Sequence, residues 1–211
     1  MKTFYCLLTA IVCLLCVSNS NAQMRELHVD AIDEYNEVQK FSFYSPSEGF
    51  VAFTKWIGYT TDSGRTFTRK YISFGNVNFN GHSVNLTFGF GIKGVKAFNK
   101  DTLIAWGDYG LVPSILYSID GGSSYTLVYH DRYDPWSFKS GITDMVFPQN
   151  NNIGYAVEAD RILKTTNKGL TWSVIRLDVN RYFSALEAID NNNVFAFSSD
   201  YSSSKIFKSS N

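Results

Sequence analysis

Short apolar runs recur along the chain from about residue 40 onward, each closed by a cluster of Asn, Asp, Gly, Ser or Pro. One set reads Phe50-Val51-Ala52-Phe53, Leu103-Ile104-Ala105-Trp106, Gly154-Tyr155-Ala156-Val157 and Val194-Phe195-Ala196-Phe197, with alanine third each time. Each is preceded by a bulky apolar residue and a turn. Phe43 stands before Ser45-Pro46-Ser47, Phe98 before Asn99-Lys100-Asp101, Phe147 before Pro148-Gln149-Asn150, and Ile189 before Asp190-Asn191-Asn192. Runs of this length between turn clusters predict strands and hairpins. Beyond residue 23 only Leu27 to Val38 has a trace of helical period.

A third element repeats more strictly. Thr60-Thr61-Asp62-Ser63-Gly64-Arg65-Thr66-Phe67 is followed by Ser118-Ile119-Asp120-Gly121-Gly122-Ser123-Ser124-Tyr125 and by Thr165-Thr166-Asn167-Lys168-Gly169-Leu170-Thr171-Trp172. An isoleucine (Ile57, Ile115, Ile162) precedes each copy by three residues, and a fourth copy opens at Ile206 with Ser209-Ser210-Asn211. Each unit thus predicts strand, turn, strand, loop, strand, tight turn, strand. Four strands in about 40–45 residues is the size of a propeller blade, and radial repetition leaves only short, protected sheet edges.

The repeated turn has a physical reading. A short carboxylate or amide folds back and accepts hydrogen bonds from its own turn, so Asp62, Asp120 and Asn167 are interchangeable acceptors. Gly64, Gly122 and Gly169 supply positive φ. Phe67, Tyr125 and Trp172 are expected to bury a ring that pins the turn to the sheet. A catalytic acid is needed once, not once per repeat, and a calcium loop needs several oxygens at alternating positions, which these turns lack.

The pattern resembles the Asp-box (BNR) repeat, and residues 38–211 resemble the Asp-box β-propellers. Those include bacterial sialidases, xyloglucanase-type glycoside hydrolases, sortilin ectodomains and photosystem II assembly-factor-like propellers. The resemblance implies an all-β propeller of four-stranded antiparallel blades, here about 38–71, 94–129, 141–176 and 183–211. It implies that Thr60, Asp62, Gly64, Thr66, Phe67 and their counterparts through Ser209 and Asn211 are scaffold, away from the active face. Fold alone does not assign chemistry. The fourth unit stops at the third residue of its box, so the protein is expected to continue beyond Asn211 into further blades or modules. A closed four-bladed ring is the competing expectation, with residues 23–37 supplying the missing strand.

Residues 1–22 read as a signal peptide: Lys2, an apolar stretch from Phe4 to Val17, and Ser20-Asn21-Ala22 as an A-x-A-like cleavage site. The stretch is shorter than the ~20 residues a membrane span needs, so a secreted or cell-surface protein is expected, periplasmic being possible in a bacterium. Cys6, Cys13 and Cys16 all lie in that leader, which leaves 23–211 without cysteine. Small exported domains often depend on disulfides, so this core must suffice without them. Lys+Arg and Asp+Glu are equal at 19 each, and loss of Lys2 leaves a single negative charge with no charged block. Nothing there favours nucleic acid or an anionic membrane as partner.

Candidate chemistry is sparse. A sialidase needs an arginine triad, yet Arg161-Ile162-Leu163 only loosely imitates that family's arginine motif, and Arg65 lies within a box. Asp108, Asp131, Asp134, Asp144 and Asp160 are the carboxylates near strand ends that a two-acid glycoside hydrolase would have to draw on. His28, His82 and His130 have no partners at metal-ligand spacing, so no metal or cofactor is expected. Asn85-Leu86-Thr87 matches a glycosylation acceptor for a eukaryotic route only. Residues 72–93 form an irregular stretch rich in Asn, Gly and Phe (Phe74, Phe79, Phe88, Phe90). Loops 107–114 and 130–140 carry Tyr109, Tyr133 and Trp136. Such aromatic loops either cover blade edges, the favoured expectation, or present a binding surface. The leading expectation is a non-enzymatic scaffold for a protein or glycan ligand; the alternative is a glycoside hydrolase of sialidase or xyloglucanase type.

Overall fold

The computed structural model describes residues 37–72, 77–79, 82–84, 90–109, 112–131, 141–148, 151–178, 181–199 and 203–209. The expected leader 1–22, nearly all of the lead-in, Asp134, Tyr133, Trp136 and Asn211 lie outside them. Every regular element among the described residues is a strand, and none of them is a helix long and apolar enough to cross a membrane.

The first sheet runs β1 (Val38–Phe43), β2 (Gly49–Phe53), β3 (Ile57–Thr60) and β4 (Thr68–Lys70), each antiparallel to the next. The second adds β5 (Val77–Phe79) and β6 (His82–Val84) to β7 (Phe90–Ala97), β8 (Leu103–Tyr109), β9 (Val112–Ser118) and β10 (Tyr125–His130). The third holds β11 (Ile142–Val146), β12 (Gly154–Glu158), β13 (Arg161–Thr165) and β14 (Ser173–Leu177). The fourth holds β15 (Tyr182–Ala188), β16 (Val194–Ser199) and β17 (Ser204–Lys208).

Two features depart from the sequence reading. Part of the irregular stretch 72–93 is a hairpin: β5 pairs parallel with β10 (Tyr125↔Val77) and antiparallel with β6, widening the second sheet to six strands. Phe90 and Gly91, inside the stretch expected to be irregular, open the long strand β7, and Phe90 is core. The runs Val77-Asn78-Phe79 and His82-Ser83-Val84, three residues each, are too short to announce an added hairpin.

Consecutive sheets pack face to face, which explains why the second strands are unbroken apolar runs rather than alternating ones. Successive residues of β8 serve opposite faces. Leu103 and Ala105 join a cluster with Phe50 and Ile57 of the first sheet, while Ile104 and Trp106 join one with Met145 and Leu163 of the third. In β12, Ala156 faces back to the second sheet while Tyr155 and Val157 face forward to Phe183 and Leu186. Each large side chain so buried contributes about 1.5–3 kcal/mol.

The alanines are all buried, but they are not one structural position. Ala105 pairs with Leu116, Ala156 with Leu163 and Ala196 with Phe207. In the first sheet it is Val51 that pairs with Gly58, the counterpart of those partners, and Ala52 pairs with Ile57. A shift of one residue turns a side chain to the other face. Ala52 therefore faces forward to the second sheet, where Ala105, Ala156 and Ala196 face back.

Candidate functional site

The repeated turns connect the third and fourth strands of the first three sheets. In the first, Thr60 Oγ1 donates to Asp62 Oδ1 (2.9 Å) and accepts from Gly64 N–H (2.9 Å). The two carboxylate oxygens of Asp62 then take the backbone N–H (2.9 Å) and the hydroxyl (2.7 Å) of Thr66. Ser118, Asp120, Gly122 and Ser124 reproduce every one of these bonds. In the third turn, Thr165, Gly169 and the Thr171 N–H keep their places, but Asn167 Nδ2 donates to Thr171 Oγ1, so one hydrogen bond has its direction reversed.

Two consecutive residues, not one, adopt positive φ: Ser63 and Gly64, Gly121 and Gly122, Lys168 and Gly169. The N–H of the first of each pair reaches the neighbouring hairpin of the same sheet, at Ser47 O, Asp101 O or Asn152 O. Two turns are tied at one end of each sheet. The ring that follows packs on the preceding sheet where there is one: Tyr125 on the first sheet's Phe50 and Ile57, Trp172 on the second sheet's Ile104 and Ile115. Phe67 packs at 6.0 Å from Phe53 within its own sheet. Ser209, at the fourth equivalent place, accepts from Val194 N–H through Oγ (3.0 Å).

These bonds set the local electrostatics. Hydrogen bonds from the Thr66 hydroxyl and N–H hold the Asp62 carboxyl down at about 2. Burial pushes Asp120 upward, but donors from Ser124, Ser118 and Ser123 outweigh it and keep it below the ordinary range. Both carboxylate oxygens of Asp62 and of Asp120, and the amide oxygen of Asn167, are engaged within the turn itself.

The opposite end of the sheets gathers different groups. The strands β1, β7, β11 and β15 each carry a bulge at the same place: between Val38 and Lys40, Ile92 and Gly94, Ile142 and Asp144, Phe183 and Ala185. Bulges re-aim side chains. Asp144 Oδ1 receives Lys40 Nζ of the first sheet (2.6 Å), and Oδ2 receives Leu186 N–H of the fourth (2.9 Å). Lys40 Nζ also sits 5.3 Å over the Trp106 ring of the second. One carboxylate and one ammonium thereby link all four sheets.

Nearby, Glu158 is wholly buried at the end of β12. Tyr129 OH donates to its Oε2 (3.2 Å), and Arg161 Nη1 lies 3.3 Å from its Oε1 while also pairing with Asp131 (2.5 Å); Arg161 Nε stands 3.5 Å from Asp160. Burial and the adjacent Glu158 raise the Tyr129 phenol. Burial disfavours the Arg161 charge, but Asp131 and Tyr129 outweigh it and hold the guanidinium firmly protonated. Lys93 pairs with Asp108 at 3.9 Å. Ser114 Oγ donates to Val112 O (3.0 Å) and so takes the proton of His130 Nδ1 (2.8 Å), which leaves Nε2 as the acceptor. Burial lowers the His130 pKa against the pull of Asp131. A serine whose proton points away from its histidine is not an activated nucleophile.

Of the carboxylates singled out from sequence, Asp131 and Asp160 converge on Arg161, Asp108 faces Lys93 and Asp144 faces Lys40. Sequence reasoning missed Glu158 and Tyr129. The signal for Glu158 was a charged residue directly after an apolar run of the kind that fills both faces, two positions before Asp160 and three before Arg161.

No protein-family model matches the chain, and no curated protein is similar to it. Solved structures are. A GH74 enzyme from Niastella koreensis superimposes with a TM-score of 0.54 at 16% identity, over 81% of this chain and 30% of that one. YCF48 from Cyanidioschyzon merolae gives 0.50 at 14%, over 84% and 57%. The computationally designed Ika4 protein gives 0.51 at 14%, over 89% and 99%. The chain thus spans under a third of the GH74 enzyme and rather more than half of YCF48. Identities this low carry the fold alone. With four successive sheets, each built on consecutive antiparallel strands and packed face to face, and these neighbours, the chain is an all-β protein of β-propeller fold.

Proposed function

We propose that the chain is an exported Asp-box β-propeller that acts without catalysis, binding a protein or glycan ligand at the end of the blades opposite the repeated turns. The observation that carries this reading is the pairing of the acids there. Asp108, Asp131, Asp144, Glu158 and Asp160 each lie within ion-pair distance of Lys93, Lys40 or Arg161. A facing cation favours the ionised carboxylate, whereas glycoside hydrolysis requires one carboxyl kept protonated to donate to the leaving group. What these pairs supply instead is a rigid polar surface, bordered by half-buried Tyr109 and Tyr129 and exposed His130. Fixed donors and aromatic rings on a stiff scaffold suit recognition. Export rests on the leader ending at Ala22, and the Asp-box reading on the shared hydrogen bonds of the three turns.

The test is to express the full chain, confirm by mass spectrometry that the exported form starts at Gln23, and screen it against glycan and protein panels. Reducing-sugar release from polysaccharides is measured alongside. Binding that Tyr109→Ala or His130→Ala abolishes without a change in melting temperature supports the proposal. Turnover that vanishes in Asp131→Asn or Asp160→Asn would replace it with the hydrolase reading.

A further inference from the structure

A cavity of about 200 Å³ opens between the first and second sheets at the end that carries the repeated turns, walled by Phe50, Tyr59, Lys70, Lys100, Asp101 and Gly121. Both sheets have their fourth strand, β4 and β10, so the opening belongs to a complete interface between two blades. Of the rings that follow the three turns, Phe67 carries no polar atom, and Trp172 Nε1 donates to Gly169 O (3.0 Å). Tyr125 differs. It is 1% exposed, yet its hydroxyl has no hydrogen-bond partner among the described residues. Leaving a buried hydroxyl in that state is costly, and a phenylalanine would fill the same core without it. The hydroxyl stands beside the cavity wall: a Cβ placed on Gly122 would lie 2.7 Å from Tyr125 Oη and 3.6 Å from Lys70 Cδ. Burial, and after it the Asp120 charge, raises the phenol. The oxygen therefore keeps its proton and is available as a donor.

Gly121 leaves the space open. Ser63 and Lys168 hold the same left-handed place in the other two turns, so the conformation does not itself demand glycine. Lys168 sends its ammonium 4.8 Å over the Phe98 ring of the preceding blade, whereas Gly121 sends no side chain toward the first sheet. A Cβ on Gly121 would also press on Lys100 O at 2.9 Å, so glycine lets that hairpin come in as a wall. Donors outnumber acceptors around the cavity. Lys70 Nζ gives one proton to Ser123 Oγ (3.4 Å) and has two more, and the Lys100 ammonium makes no ion pair among the described residues. Both oxygens of Asp120 are taken by Ser118, Ser123 and Ser124, and Asp101 is exposed at the mouth. We infer that this cavity binds the carboxylate of a small ligand, with the Tyr125 hydroxyl and the Lys70 ammonium donating to its oxygens and Lys100 adding charge at the mouth. Hydrogen bonds to an ionised acceptor are shorter and stronger than neutral ones. The site is at the other end of the blades from the polar surface and holds whatever that surface binds.

The full chain, its tyrosine rings labelled with carbon-13, is titrated with sodium acetate while sodium chloride holds the ionic strength constant. Acetamide serves as the neutral control. Acetate should move one tyrosine resonance saturably, and that resonance should be missing from the spectrum of Tyr125→Phe. Calorimetry and acetate-dependent melting should show at least about tenfold weaker binding for Tyr125→Phe, and for acetamide with the wild type. Without acetate, Tyr125→Phe should melt no lower than wild type, because the ring stays and an unpaired hydroxyl goes. Lys100→Gln, an exposed change, should weaken acetate binding and leave the melting temperature alone. Sodium glucuronate is run beside acetate: tighter binding of glucuronate assigns the carboxylate to a sugar acid, and tighter binding of acetate to a small free acid. Acetate and acetamide binding alike, or acetate affinity unchanged in Tyr125→Phe, overturns the inference. So does a lower melting temperature for Tyr125→Phe without acetate, which would give the hydroxyl a partner inside the fold.

Discussion

Lys40 Nζ lies 2.6 Å from Asp144 Oδ1, joining the first blade to the third although their strands do not pair. The two partners are not equally important. Lys40 is 41% exposed, so its share of the ion pair is screened and worth at most about 1 kcal/mol. Asp144, 19% exposed, also accepts the Leu186 and Met145 N–H groups. Asp144→Ala strands those donors and should cost about 2 kcal/mol, against less than about 1 for Lys40→Met. Urea denaturation of both variants checks the order; equal losses would mean the pair acts through charge alone.

Asp120→Ala should cost about 1–2 kcal/mol by removing the acceptor that closes its turn. Asp120→Asn should recover most of it. Asn167 already performs the same task, with the amide donating to Thr171 where Asp120 accepts from Ser124. Thermal melts of the two variants decide. If Asp120→Asn is as damaging as Asp120→Ala, the charge matters to the turn in a way the third blade does not share.

Acid should weaken the turns in a defined window. The Asp62 carboxyl is depressed from an ordinary 3.8 to about 2 by the donors of Thr66. A depressed carboxyl stabilises the fold fully above its unfolded value, and that contribution is lost as pH falls through the folded one. Asp120 shifts in the same direction. Melting temperature should therefore fall between roughly pH 4 and pH 2, and Asp62→Asn should flatten part of that slope. Matching slopes in wild type and variant would remove Asp62 as a contributor.

The turns were legible in the sequence because their chemistry is local: a hydroxyl, an acceptor and a glycine at fixed spacing need only one another. Blade register was less legible. Aligning on alanine places Ala52 with Ala105, yet the register places Val51 there, since Ala52 pairs with Ile57, the third residue before its turn, and Ala105 with Leu116, the second before its own, and a one-residue offset reverses the faces. The β5–β6 hairpin was illegible because its pairing with β10 is non-local. Glu158 was hidden for the same reason: its partner Tyr129, and the Asp131 that shares Arg161 with it, come from the preceding blade.

The corrected register has its own consequence. Ala156→Leu and Ala105→Leu should each overpack by about 1–3 kcal/mol, pressing on the preceding blade. Ala52→Leu should strain the interface with the second blade instead, and Val51→Leu, at the site homologous to Ala105, should be milder because a larger side chain already sits there. Double-mutant cycles separate the interfaces. Ala52→Leu and Ala105→Leu both press into the cluster around Phe50 and Leu116 and should couple, whereas Ala52→Leu and Ala156→Leu serve different clusters and should add. The opposite result would restore the alignment on alanine.

Arg161 and the buried Glu158 give the last prediction. Arg161→Met removes the cation that Glu158, Asp131 and Asp160 share and leaves a carboxylate with no exposure facing an apolar side chain. Breaking such a pair from one side is expected to cost about 3–5 kcal/mol. Glu158→Leu alone removes the buried charge but leaves Arg161 two carboxylates in more exposed surroundings, so its cost should be smaller. Combining Glu158→Leu with Arg161→Met should recover much of the single Arg161→Met loss, because the penalty lies in the orphaned charge rather than in the lost attraction. Urea melts of the four proteins measure this. A double variant as unstable as Arg161→Met would show that the pair holds the hairpin of the third blade by geometry, and that its charge is incidental.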